Sequence, residues 1–226
     1  MESSVRIPLG KLWLDADYVP PYPGKGIVIF AHGSGSGRKS PRNRQVARVL
    51  NSRGIGTLLL DLLTNPEAHI DELTAEYRFN IPLLTERLLA ATDWLQLRPE
   101  GTGAPLGYFG ASTGGAVGMI AASRKTGEVG AIVLRGARTD LGDSAAPRIR
   151  CPTLILVGGD DAVIQELNSK TMRLLRCKKK LMIVPGATHL FEEPGTLEQV
   201  ANAAADWFEL HLSSPARRAV RTAALS

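Results

Sequence analysis

The chain has 226 residues, 44% of them hydrophobic, with 23 glycines and 14 prolines, which is enough for one sizeable core with many junctions and excludes disorder over most of the length. Its formal charge of +5, from 27 Lys plus Arg against 22 Asp plus Glu, is a modest excess. Basic clusters at residues 38–48, 173–180 and 217–221 carry no interleaved aromatics, so they read as solvated faces and no nucleic-acid partner is expected.

Cys151 and Cys177 stand far apart without a C-x-x-C, which argues against a disulfide framework or a thiolate zinc site and fits a reducing compartment. The first nine residues lack an apolar signal core, and the longest early apolar run, residues 26–31, is of strand length. A cytoplasmic, unprocessed chain with no membrane attachment is expected.

Residues 5–15 alternate around Pro8-Leu9-Gly10, as an edge hairpin would. A Pro-rich connector leads to the run at 26–31, whose continuous apolarity suits a strand covered on both faces, and this delivers the chain into His32-Gly33-Ser34-Gly35. Ser40-Pro41 opens a helix with Val46, Val49 and Leu50 on its apolar side. A strand at 57–60 precedes a polar excursion, residues 62–79, long enough to shape a pocket rim, and a helix follows over 82–97. Strands are expected at 105–109, 129–134, 153–157 and 181–184, with helices over 113–124, around Leu167 to Leu175, and over 197–212. Residues 140–150 read as a loop. Strands alternating with helices imply a mostly parallel sheet covered on both faces, in one domain over residues 1–213 with a tail, 214–226, that frays.

Between the strand at 105–109 and the helix at 113–124 lies Gly110-Ala111-Ser112-Thr113-Gly114, a G-x-S-x-G pentapeptide. Its glycines lack the Cβ atoms that would collide in a sharp turn, so Ser112 reads as the nucleophile of a strand-to-helix elbow. A serine hydroxyl needs a base and a group that orients the base. His189, just past the last strand, suits the first role; His69 and His211 suit solvated surface positions and His32 a loop anchor. Asp160 or Asp161 suits the second, and the other would cap the next helix, one role each. The amides of Ser34 and Thr113 are placed to receive an oxyanion. Arg135 and Arg138 end a strand on the same sheet edge and suit the binding of an anionic substrate group. The loop from Gly33 to Ser40 nearly spells a phosphate loop, but Arg38 stands where glycine is required.

From residue 25 to 212 the chain resembles the dienelactone hydrolase branch of the α/β-hydrolases, through the His32-Gly33 loop, the Ser112 elbow, Gly158-x-x-Asp161 and His189. Ser40-Pro41-Arg42-Asn43, Asp61-Leu62-Leu63-Thr64 and the stretch from Pro185 to Glu192 are similar to a bacterial subgroup sometimes found fused to phosphoribosyltransferase domains. The resemblance implies an α/β-hydrolase fold with Asp161 rather than Asp160 as the acid; no segment is large enough for a lipase-like cap domain, and serine chemistry needs no metal or organic cofactor. Members that open dienelactones carry cysteine where this chain has Ser112, so the family name does not give the substrate. The expected activity is a serine hydrolase cleaving a small carboxylic ester, thioester or lactone; a noncatalytic ligand-binding protein on the same scaffold is the alternative. The expected partner is a small acyl substrate, and a homodimer stays open.

Overall fold

The computed structural model describes residues 2–98 and 103–212. Eight strands, β1 (Ser3–Leu9), β2 (Leu12–Val19), β3 (Ile27–Ala31), β4 (Gly56–Leu60), β5 (Leu106–Ala111), β6 (Val129–Arg135), β7 (Thr153–Gly158) and β8 (Lys179–Val184), form one sheet in the order β1-β2-β4-β3-β5-β6-β7-β8. The hairpin β1-β2 and the β2-β4 pair are antiparallel and every other pair is parallel. This is the α/β-hydrolase architecture, with the edge hairpin where alternation placed it and no cap domain in the described residues. Every residue of β3, β4, β5 and β7 is buried, which is why they read as continuous apolar runs.

Helices α1 (Pro41–Ser52) and α6 (Thr196–His211) bury Val46, Leu50, Val200 and Phe208 against Val28, Phe109 and Val133 on one face. Helices α3 (Ile81–Gln96), α4 (Thr113–Arg124) and α5 (Ala162–Leu174) cover the other face, over Ile29, Tyr108 and Ile132. The polar excursion contains a helix that its hydrophobic pattern did not show, α2 (Asn65–Thr74), opened by a capping box in which Thr64 and Glu67 satisfy each other's backbone amides. The loop expected at 140–150 is largely a 3-10 helix over Thr139–Arg148. His211 is buried with its ring edge on Trp207, centroids 4.5 Å apart, because α6 turns that face inward rather than to solvent. The tail, residues 214–226, lies outside the described residues.

The first basic cluster is not a solvated face, because acids from the neighbouring strands claim it. Asp17, 2% exposed in β2, accepts from Ser4 Oγ at 3.0 Å, Lys39 Nζ at 2.7 Å and Arg44 at 3.2 Å. Burial alone would raise its carboxyl, but the hydrogen bonds from Lys39 and Ser4, with the charges of Lys39 and Arg38, hold it below the ordinary aspartate value. The Arg38 amide donates to Asp61 at 2.6 Å and its guanidinium pairs with the same carboxylate. These contacts pin the β3-α1 loop to the edge hairpin and to the end of β4. His32 adds a second pin: its Nε2 accepts from the Leu62 amide at 3.0 Å, so Nδ1 carries the proton and donates to the Gly33 carbonyl at 2.8 Å.

A Cβ on Gly114 would lie 2.5 Å from the His32 carbonyl oxygen and closer still to that of Ala31, whereas one on Gly118, a turn further along α4, would meet only Tyr108 Cβ at 3.8 Å. Gly114→Ala should therefore lower stability by about 1–3 kcal/mol as an overpacked site, while Gly118→Ala should raise it by up to about 1 kcal/mol through helix propensity; urea midpoints compare them. Burial, opposed by the Gly33 hydrogen bond and the Asp61 charge, holds the His32 pKa below the usual histidine value. The unfolded chain thus binds this proton first, so the contribution of neutral His32 is complete above about pH 6.5 and declines as the pH falls below that value. Wild type should lose more stability than His32→Gln between about pH 7 and pH 5, and parallel losses would remove the claim.

Candidate active site

Ser112 connects β5 to α4 with φ 50° and ψ −121°, a conformation that L residues rarely adopt. Three backbone hydrogen bonds hold it: the Ser112 amide donates to Arg135 O at 3.1 Å, and its carbonyl accepts from Gly115 and Arg138, each at 3.0 Å. The turn lifts the hydroxyl above the carboxyl ends of the parallel strands, where ligands of such sheets bind. It also leaves the Thr113 amide among the first donors of α4, which have no partner within the helix.

His189 follows β8 and approaches from the other side of β6 and β7. Its Nε2 is 3.4 Å from Ser112 Oγ, and its Nδ1 is 2.7 Å from Asp161 Oδ2. An imidazole donating through Nδ1 to a carboxylate leaves Nε2 as the acceptor towards the serine. Two features shape the space for the ring. Gly136, at φ +52°, passes so close that a Cβ there would lie 3.5 Å from His189 Cε1. Glu193 accepts from the Thr188 amide at 3.1 Å and its hydroxyl at 2.6 Å, fastening the segment before the ring. Glu193 carried no signal that separated it from any surface glutamate.

The two aspartates do not divide their roles. Asp161 contacts His189 through Oδ2 and caps α5 through Oδ1, which accepts from the Ile164 amide at 3.3 Å, while Asp160 is exposed. One carboxylate serves both because the ring and the helix start lie on opposite sides of the same short turn.

The β3-α1 loop packs directly against the elbow, with Gly33 beside the Ser112 side chain. The Ser34 amide donates to the Thr113 hydroxyl at 2.8 Å, so the two residues expected to hold an oxyanion are in contact, with the Ser34 donor engaged by a side chain. Beside this loop is a cleft of about 230 Å³, bordered by His32, Ser34, Leu63, Ala68, Asp71 and Arg78. The polar excursion thus forms part of its wall. Asp71 accepts from the Tyr77 and Arg78 amides and from Arg78 Nε, all at 2.8 Å, which curls the segment after α2 back on itself. Arg78 was not singled out in the sequence; the Asp71 to Arg78 spacing on either side of a helix end was the available sign. Lys39 and Arg38, the residues nearest to a phosphate-loop signature, are held by Asp17 and Asp61.

The two arginines after β6 differ. Arg138 makes a bidentate pair with Asp140, both bonds 2.9 Å. Arg135 is buried at 7% exposure beneath the segment after His189, with its guanidinium 5.7 Å from the Phe191 ring centre.

Known proteins share this fold. A crystal structure of a dienelactone hydrolase from Anabaena variabilis superposes with a TM-score of 0.92 at 48% identity, over 94% of this chain and 98% of that one. Est1E from Butyrivibrio proteoclasticus, solved with ferulic acid bound, shares the fold with a TM-score of 0.77 at 17% identity, over 92% and 98% of the two chains. A putative phosphoribosyl transferase of Mycobacterium tuberculosis H37Rv is 47% identical over 214 residues, which is 95% of this chain and 47% of that protein. The chain therefore spans about half the length of the curated relatives it matches. The dienelactone hydrolase family model matches residues 18–214, nearly the whole described fold and all of the elbow, acid and histidine positions, and the chain belongs to the dienelactone hydrolase family.

Proposed function

We propose that the chain is a serine hydrolase that cleaves a small carboxylic ester, thioester or lactone through an acyl-enzyme. The observation that carries the reading is the continuous line of contacts from Ser112 Oγ through His189 to Asp161, at 3.4 Å and 2.7 Å, with the serine held at positive φ. In this mechanism Ser112 Oγ attacks the acyl carbon while His189 Nε2 takes its proton, and Asp161 stabilises the imidazolium and fixes its tautomer. The longer Ser–His contact is of the kind that tightens when substrate is bound. Negative charge developing on the carbonyl oxygen is received by the Thr113 amide and by the Ser34 amide, and for the latter the oxyanion must compete with the Thr113 hydroxyl. His189 then returns the proton to the leaving alcohol or thiol, and water repeats the cycle on the acyl-enzyme.

A fluorophosphonate probe should add its mass to Ser112, and Ser112→Ala should abolish the adduct; a folded wild-type protein that takes no label would instead favour the noncatalytic binding reading. In a second comparison, Asp161→Asn should lower kcat by about 10⁴-fold, in line with loss of the orienting acid in serine triads, whereas Asp160→Asn should leave turnover within about twofold, as expected for an exposed position. An equal loss in both would sink the assignment of Asp161.

A further inference from the structure

Arg135 is a charge in an expensive place. Among the described residues no carboxylate pairs with it; its one hydrogen bond runs from the guanidinium to the Leu190 carbonyl at 3.5 Å, and Nε is buried without a partner. Burial, and secondarily the charge of Arg42, push its pKa down to about 10, which still leaves the group protonated at neutral pH. The cost of burial is therefore not relieved by losing the proton. A well-packed apolar side chain of the same volume would be the more stable choice here. Arg42, near the start of α1, also has a buried Nε without a partner, and its other end pairs with Glu192 at 2.9 Å on the surface, an exposed contact that contributes little. Both guanidinia contact the segment after His189, Arg135 through the Leu190 carbonyl and the Phe191 ring and Arg42 through Glu192, and Arg135 belongs to the strand that anchors the Ser112 amide.

We infer that Arg135, with Arg42 beside it, is the receptor for a small oxyanion, a carboxylate or phosphate, bound beneath the segment that follows His189. The planar fork of a guanidinium matches such groups with two parallel hydrogen bonds, and an anion there compensates the charge that the fold leaves unpaired. Arg138, already closed on Asp140, has no such role. The anion is either carried by the substrate or free in solution; the first case rests on the hydrolase reading above and the second does not.

Thermal unfolding of the full chain, titrated with sodium acetate and separately with sodium phosphate in exchange for a bulky sulfonate at constant ionic strength, tests the site. Wild type should show a saturable rise in Tm that Arg135→Met lacks. The same rise in both proteins, or none in wild type together with an unchanged ester preference, overturns the inference. Esters of one alcohol whose acyl chains end in a carboxylate or in its neutral amide give the source of the anion. If the substrate carries it, the ratio of kcat/KM for the anionic over the neutral ester falls at least about tenfold in Arg135→Met. A constant ratio with a saturable rise assigns a free anion. Should Arg135→Met not fold, Arg42→Gln decides: the midpoint of the wild-type titration must shift severalfold to higher concentration, and an unshifted midpoint overturns the site. The titration repeated on Ser112→Ala should saturate as in wild type, so failure of the hydrolase reading is distinguishable from failure of the anion site.

Discussion

The structure depends on a single backbone constraint, the turn at Ser112 between the most interior strand and the helix that follows. Holding a serine at φ 50° costs roughly 1–3 kcal/mol. The turn persists because its amide and carbonyl are committed to the strand and loop beside it and because the start of α4 lies on the Ala31 and His32 carbonyls. That approach is possible only where the helix begins without side chains, hence the glycines. The consequence reaches outward: β3 must end where α4 starts, so the Gly33 loop is forced against the serine, and the charges of Arg38 and Lys39 are needed to hold that loop from the far side.

Polar groups around the site are shared rather than duplicated. Asp161 holds both an imidazole and a helix terminus, and His32 accepts from the Leu62 amide just after β4 with one nitrogen while donating to the Gly33 carbonyl with the other. Removing such a group leaves two buried or half-buried partners unsatisfied, which costs more than the bond itself. Neutral alternatives of the same shape would leave the position of the ring less determined.

Most of the fold was legible because its strands are buried on both faces and its helices bury one, so periodicity and apolar runs speak directly. The site was legible where geometry is written into small residues, as at Gly110-Ala111-Ser112-Thr113-Gly114. Helix α2 escaped because it buries little apart from Asp71, so its signal was the cap, Thr64-Asn65-Pro66-Glu67, and not a stripe. The basic residues at 38–44 look solvated in the sequence because their acids, Asp15 and Asp17 of β2 and Asp61 just after β4, are distant along the chain, and sequence distance hides such pairs. The reverse holds for Arg138, whose acid is two residues away. His211 was misplaced because a helix end looks polar until its neighbour, Trp207, is seen to close over it.

The two ends of the Ser112–His189 contact are held by strands of very different security. β5 lies in the middle of the sheet, buried at every position, whereas β8 is its last strand, paired on one side only and exposed at Lys179, Lys180 and Ile183. Edge elements with few buried contacts open at a fraction of the global unfolding energy. Warming or mild denaturant should therefore peel β8 away and part the imidazole from the serine while the rest of the sheet is intact. Loss of the Ser112–His189 contact in such a molecule is a local event at one margin, governed by how firmly β7 grips β8 and not by how firmly the core is packed.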